Sequence, residues 1–215
     1  MDKVENVLKL LLDALQENGT GEKGNRTLEI PVGVSNRHVH LSQEDMDILF
    51  GSGYQMTKMK DLSQPGQFAC KETVTICGPN GAIEKVRILG PVRSKTQVEI
   101  LAGDSFKLGT VSEPRLSGDL KGTPGITIIG PKGSVRTNEG LIVAQRHIHM
   151  TPQDAYGFGV HDEQSVSIEV CGPRGGIYRN VIIRANDASS LECHIDTEEA
   201  NAMNVNSSTK VKLLK

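Results

Sequence analysis

Within this chain one segment occurs twice. RHVHLS at Arg37–Ser42 returns 109 residues later as RHIHMT at Arg146–Thr151, preceded by Val34, Ser35 and Asn36 in one copy and by Val143, Ala144 and Gln145 in the other. Self-similarity at a long offset marks two copies of one structural unit. Each copy runs on into a short helix-like segment, Gln43–Phe50 or Pro152–Tyr156, and then into a strand that ends in a turn. The turns lie in TVTICGPNG (73–81) and SVSIEVCGPRG (165–175), a β-hairpin pattern.

At these hairpins the offset has fallen, so the first copy carries about fifteen extra residues within 51–67, where a loop absorbs them. At an offset of 95 the following strands align, Val86–Leu89 with Val181–Arg184, and Val98, Glu99 and Ile100 fall opposite Cys193, His194 and Ile195. Short β-branched runs broken by Gly and Pro dominate, and helices are minor. The expected fold is mainly β, two related small β-barrels from an internal duplication with short helices, because closure leaves no exposed sheet edge.

Composition removes several function classes. With 24 Lys+Arg against 26 Asp+Glu the net charge is -2 and no block of like charge exists, which excludes a basic nucleic-acid groove or membrane patch. No tryptophan, three tyrosines and four phenylalanines leave no platform for stacking bases. The most apolar stretch, Leu8–Leu15, is interrupted by Lys9 and Asp13 and is far shorter than the ~20 residues of a membrane span. There is no secretory-signal pattern, and Cys70, Cys77, Cys171 and Cys193 form no close pair; a reduced, cytoplasmic protein with buried, inert thiols is expected. Val4, Val7, Leu8, Leu11 and Leu15 at helical spacing predict an N-terminal amphipathic helix, and ENGTGEKGNR (17–26) reads as a linker. Such a helix docks on its own core or on a partner.

Five of the six histidines lie in the repeat, four of them as His38/His40 and His147/His149. Residues i and i+2 of a strand face the same way, so each pair can grip one transition metal, and the equivalent Glu99 and His194 add a third ligand to each set. A lone His-x-His is more often a satisfied surface pair. Duplication with a metal-competent residue at the aligned third position reverses that judgement. Three His or carboxylate ligands leave coordination positions for substrate, unlike closed structural zinc sites. His161 has no counterpart and reads as a surface histidine.

Arg37 and Arg146 repeat beside the histidine pairs and either orient ligands or build the barrel. Arg93, in GPVRSKT (90–96), falls opposite Ala188 and so belongs to one copy alone. That asymmetry suggests a substrate group. Six residues before Glu99, it would share that residue's strand face if the strand continues, and its fork suits a phosphate or carboxylate.

VSNRHVHLS, GPVRSKTQVEI and RHIHMT together resemble the phosphate propanoyltransferase (PduL-type phosphotransacylase) family of bacterial microcompartments, over nearly the whole chain from Ile30 onward. The resemblance implies an exchange of coenzyme A and phosphate on short acyl groups, propanoyl or acetyl, with acyl-CoA, inorganic phosphate and acyl phosphate as substrates and products. It implies two divalent metals, usually zinc, one held by His38, His40 and Glu99 near the CoA sulfur and the other by His147, His149 and His194, with Arg93 as the phosphate-binding catalytic arginine. It also implies a barrel from residues 37–144, a second from 25–36 plus 145–215, and a homodimer or higher assembly. Residues 1–24 look like the family's N-terminal helix and linker that direct packaging with shell or core enzymes inside a microcompartment. Two other readings stay open on the residues alone: a binuclear metal-dependent (thio)ester hydrolase and a non-enzymatic, metal-stabilised barrel module.

Overall fold

The computed structural model describes residues 29–215, and the helix expected within residues 1–24 lies outside them. After β1 (Glu29–Ser35), the first repeat contributes β2 (His38–His40), α1 (Gln43–Phe50), β3 (Lys58–Asp61), β4 (Phe68–Cys77), β5 (Ala82–Gly90), β6 (Gln97–Ile100), α2 (Asp104–Leu108), β7 (Pro114–Arg115), β8 (Thr127–Ile129), β9 (Ser134–Arg136) and β10 (Leu141–Ala144). The second contributes β11 (His147–Met150), α3 (Pro152–Phe158), β12 (Ser165–Val170), β13 (Gly176–Ala185), β14 (Glu192–Asp196), α4 (Thr197–Ala202) and β15 (Lys210–Leu214).

Six strands close into a barrel in the order β1-β14-β11-β13-β12-β15, while a nine-stranded curled sheet runs β7-β10-β6-β2-β5-β4-β8-β9 with β3 beside β4. The two are versions of one plan. β2 lies between β5 and β6 as β11 lies between β13 and β14. The strands preceding the histidine motifs are exchanged: β1 runs parallel to β14, and β10 runs parallel to β6. In the barrel, β15 pairs with both β12 and β1 and so shuts the ring. Its counterpart β8 pairs with β4 and then with β9, so the first sheet stays open there.

Local signals account for the helices. The Ser42 side chain accepts from the Asp45 N–H and caps α1; Thr151 does the same for α3 within a capping box completed by Asp154, with Pro152 opening the helix. Gly159 ends α3 at φ 63°, a left-handed conformation cheap only for glycine, and the helix runs two residues past the expected Tyr156 before that stop.

Period-two alternation then divides each strand between two faces. Val39 and Ile148, the central residues of the two His-x-His motifs, are fully buried in separate cores, one with Leu41, Ile76, Ile88, Ile128 and Leu141, the other with Ile30, Ile168, Val181, Ile183 and Val211. Burying an aliphatic side chain of this size is worth about 1.5–3 kcal/mol. The core therefore pins the central residue and forces both flanking histidines to the opposite face.

Arg37 and Arg146 turn out to be scaffold. Arg37 holds Asp104 through Nε at 2.7 Å and Nη2 at 2.9 Å, and Arg146 holds Glu199 at 2.6 Å while lying over the Tyr178 ring. Asp104 and Glu199 are themselves equivalent in the repeat and also accept from the Leu101 and Asp196 N–H groups. The cysteine expectation holds for only two residues. Burial pushes the Cys70 thiol up to about 11 and that of Cys193 to about 12, but Cys77 is half-buried and Cys171, in the tip of the β12–β13 hairpin, is exposed because a tight turn has no interior.

Candidate metal centres in a shared cleft

Strand register assembles both candidate ligand sets. On antiparallel β2 and β6, His38 pairs with Glu99 and His40 with Gln97; on β11 and β14, His147 pairs with His194 and His149 with Glu192. In each set the three possible ligand atoms lie within 4.8 Å of one another. His38 Nε2 is 3.4 Å from Glu99 Oε2, and His147 Nε2 is 3.1 Å from His149 Nε2.

Backbone carbonyls set the tautomers. A carbonyl only accepts, so His38 Nδ1 donates to Asn36 O and His147 Nδ1 to Gln145 O, each at 2.8 Å, which leaves both Nε2 lone pairs turned toward their partner ligands. Among the described residues, the buried ring nitrogens without a hydrogen-bond partner are His40 Nδ1 and His149 Nδ1, one in each set. Three imidazole or carboxylate donors converging in each set fit a divalent, imidazole-preferring ion such as zinc.

The electrostatics of the two sets differ. Burial, reinforced by the neighbouring imidazole, holds His40 down to about 3 and His149 to about 3, and burial with the His194 ring beside it holds His147 to about 4, so these rings are neutral and metal-ready at neutral pH. Burial opposes charge on His38 too, but the Glu99 carboxylate outweighs it and the net shift is upward. Burial would raise Glu99, yet the His38 ring holds its carboxyl well below the usual range. One set thus contains a carboxylate beside His38, and the other has neutral His147 and His149.

Both sets line one cleft of about 620 Å³, with Arg93 and Arg184. Arg93 is not on a continuation of the Glu99 strand. β6 begins at Gln97, and Arg93 lies in the preceding loop, where its N–H donates to Leu41 O at 2.9 Å and its Nη1 donates to Ser117 Oγ at 2.9 Å. The bond to Leu41, the residue just after the first His-x-His motif, aims the guanidinium into the cleft by a route strand periodicity does not describe. Burial lowers the Arg93 pKa, and the positive charge of Arg184 opposes it further. Two convergent guanidiniums in a partly desolvated cleft make an anion site.

Arg184 escaped the sequence reading, though a signal existed: at the offset of 95 it falls opposite Leu89 and is as unrepeated as Arg93. In the structure it pairs in register with His149. Ser117 and the segment around Gln64 carried no signal. The extra residues of the first copy reach across to the barrel, where Gln64 Nε2 donates to Ser190 O at 3.0 Å and Gln64 Oε1 accepts from the Ser190 N–H at 3.2 Å. His161 is exposed and apart from the cleft.

Among the described residues, no helix is long and apolar enough to cross a membrane. The family model for phosphate propanoyltransferase matches residues 31–206. The chain is 54% identical over 186 residues to the phosphate propanoyltransferase of Rhodobacter capsulatus, covering 86% of each chain, and 55% identical over 186 residues to that of Thermotoga maritima, covering 86% of this chain and 89% of the other. Against the phosphate propanoyltransferase of Rhodopseudomonas palustris it is 46% identical over its whole length and 97% of that relative's. With a family model spanning most of the chain and relatives this similar in sequence, the chain belongs to the phosphate propanoyltransferase family.

Proposed function

We propose that this protein interconverts a short-chain acyl-CoA and inorganic phosphate with the acyl phosphate and free CoA at a dinuclear centre, in keeping with its family. The observation that carries the reading is the convergence of two three-ligand sets and two arginines on one cleft. His38, His40 and Glu99 would hold one divalent ion, and His147, His149 and His194 the other. Bound there, the ions would supply Lewis acidity at the thioester carbonyl and toward the departing thiol.

The chain's own groups do the rest. Arg93, steadied by Ser117, grips phosphate oxygens and offsets their repulsion as one of them approaches the carbonyl carbon; Arg184 adds a second positive charge from the opposite sheet. The new C–O bond forms, the C–S bond breaks, and the electron pair leaves with sulfur as a thiolate. No protein nucleophile is required.

The test follows free thiol from propanoyl-CoA with and without phosphate, and with and without a chelator. Phosphate-dependent release that a chelator abolishes and added zinc restores is the expected result. Equal release without phosphate would replace transfer by thioester hydrolysis. Release indifferent to metal removal would overturn the dinuclear site.

A further inference from the structure

The duplication extends one layer beyond the six candidate ligands. Gln97 and Glu192 are equivalent in the repeat, each two residues before the third ligand on the same strand face, and each directly across from the second histidine of its motif. Each bonds that third ligand. Gln97 Nε2 donates to Glu99 Oε1 at 2.6 Å, and His194 Nε2 donates to Glu192 Oε2 at 2.5 Å. The chemistry is inverted to suit the ligand: an amide donor serves a carboxylate, and a carboxylate acceptor serves an imidazole.

Both partners are themselves held. Gln97 Oε1 accepts from the Gly118 N–H at 2.8 Å and its Nε2 also donates to Ser117 Oγ at 2.8 Å. Glu192 accepts from the Ser63 hydroxyl, which belongs to the extra segment of the first copy. It lies against β1 so closely that a Cβ at Gly33 would stand 2.7 Å from its Cδ and push the carboxylate from its place. A proton acceptor on Nε2 holds His194 in the tautomer that leaves its Nδ1 lone pair for an ion.

Resting on the two-metal reading, we propose that Gln97 and Glu192 are the positioning residues of the two centres, and that Glu192 supplies to the His147/His149/His194 centre, at one remove, the negative charge that Glu99 supplies directly to the other. The Ser63 contact makes the extra segment of the first copy a determinant of affinity at the second centre. Loss of an outer partner of this kind typically costs 10–100-fold in metal affinity.

The experiment titrates metal-stripped protein with Co²⁺, reading visible absorption for coordination and a competing chelator for affinity, in wild type, Glu192→Gln, Glu192→Ala, Ser63→Ala and the surface control Glu169→Gln. Two bound ions in wild type uphold the underlying reading; fewer than two refute that reading and the proposal with it. Given two, Glu192→Ala is expected to weaken one centre about 10–100-fold with a shifted absorption band while the other keeps its constant and spectrum. Glu192→Gln, which keeps an acceptor but not the charge, falls between, and Ser63→Ala moves the same centre in the same direction. Circular dichroism of the metal-free variants reports folding separately. If folded Glu192→Ala binds both ions with wild-type constants, or loses affinity equally at both centres, the assignment is overturned.

Discussion

Replacing Arg93 by lysine isolates what the guanidinium fork contributes. Arg93 Nη1 is committed to Ser117 Oγ at 2.9 Å, and the side chain borders the cleft with its other donors available to an anion. An ammonium keeps the charge but not the paired geometry, so lysine removes one of two charge-assisted bonds to phosphate, each worth about 1.5–3 kcal/mol. At about 1.4 kcal/mol per decade, kcat/KM for phosphate should fall roughly 10–150-fold in Arg93→Lys. Alanine loses both bonds, about 3–6 kcal/mol, for a fall of about two to four orders of magnitude. The KM for acyl-CoA should move little, since neither variant removes a candidate metal ligand. Thiol release at saturating acyl-CoA and varied phosphate, with metal content measured on the same samples, gives all the quantities. Wild-type phosphate dependence in the alanine variant would remove Arg93 from the site, and metal loss parallel to activity loss would recast it as structural support.

Elemental analysis of purified protein should find two transition-metal ions per chain, as each repeat supplies one ligand set, and His38→Ala and His147→Ala should each lose one. In metal-stripped protein, His40, His147 and His149 titrate near 3–4 when folded and near 6.5 when unfolded, so the unfolded chain binds more protons between those values. Stability should therefore be greatest above pH 6.5 and fall as the pH drops toward 4, with His38 opposing as one ring against three; urea midpoints that stay flat from pH 7.5 to 5 would contradict this burial. Deleting residues 1–24 should leave transfer intact, because no candidate ligand lies there, and should abolish co-purification with shell or core enzymes; retained association would assign that contact to the remaining chain.

Much of the site was legible because duplication turns one chain into its own comparison. The offset of 95 places Glu99 opposite His194, and β-strand geometry, with a period of two, converts that equivalence into spatial meaning: cross-strand neighbours of His38 and His147. The helix at Gln43–Phe50 was equally readable, since the Ser42 cap and the glycine stop are local events. Arg93 stands out in the sequence as unrepeated, but its route into the cleft does not, because that depends on a loop bond to Leu41 rather than on periodicity.

What tertiary structure alone decided is everything that depends on distance between the two copies. The exchange of β1 and β10 between sheets and the reach of Ser63 and Gln64 onto the barrel bring together residues far apart in the chain, Glu29 with Lys212 and Ser63 with Glu192 among them, with no shared local pattern to announce them. Arg184 shows the boundary most plainly. Its sequence position marks it as unrepeated, but a side chain's charge acquires a role only where the fold turns it toward Arg93 and the histidines. The sequence determined which residues could bind metal and which strands would carry them, since strand periodicity and side-chain chemistry are local. The closing of two sheets around one cleft, which brings two candidate ligand sets and two arginines to its lining, is a property of the packed core.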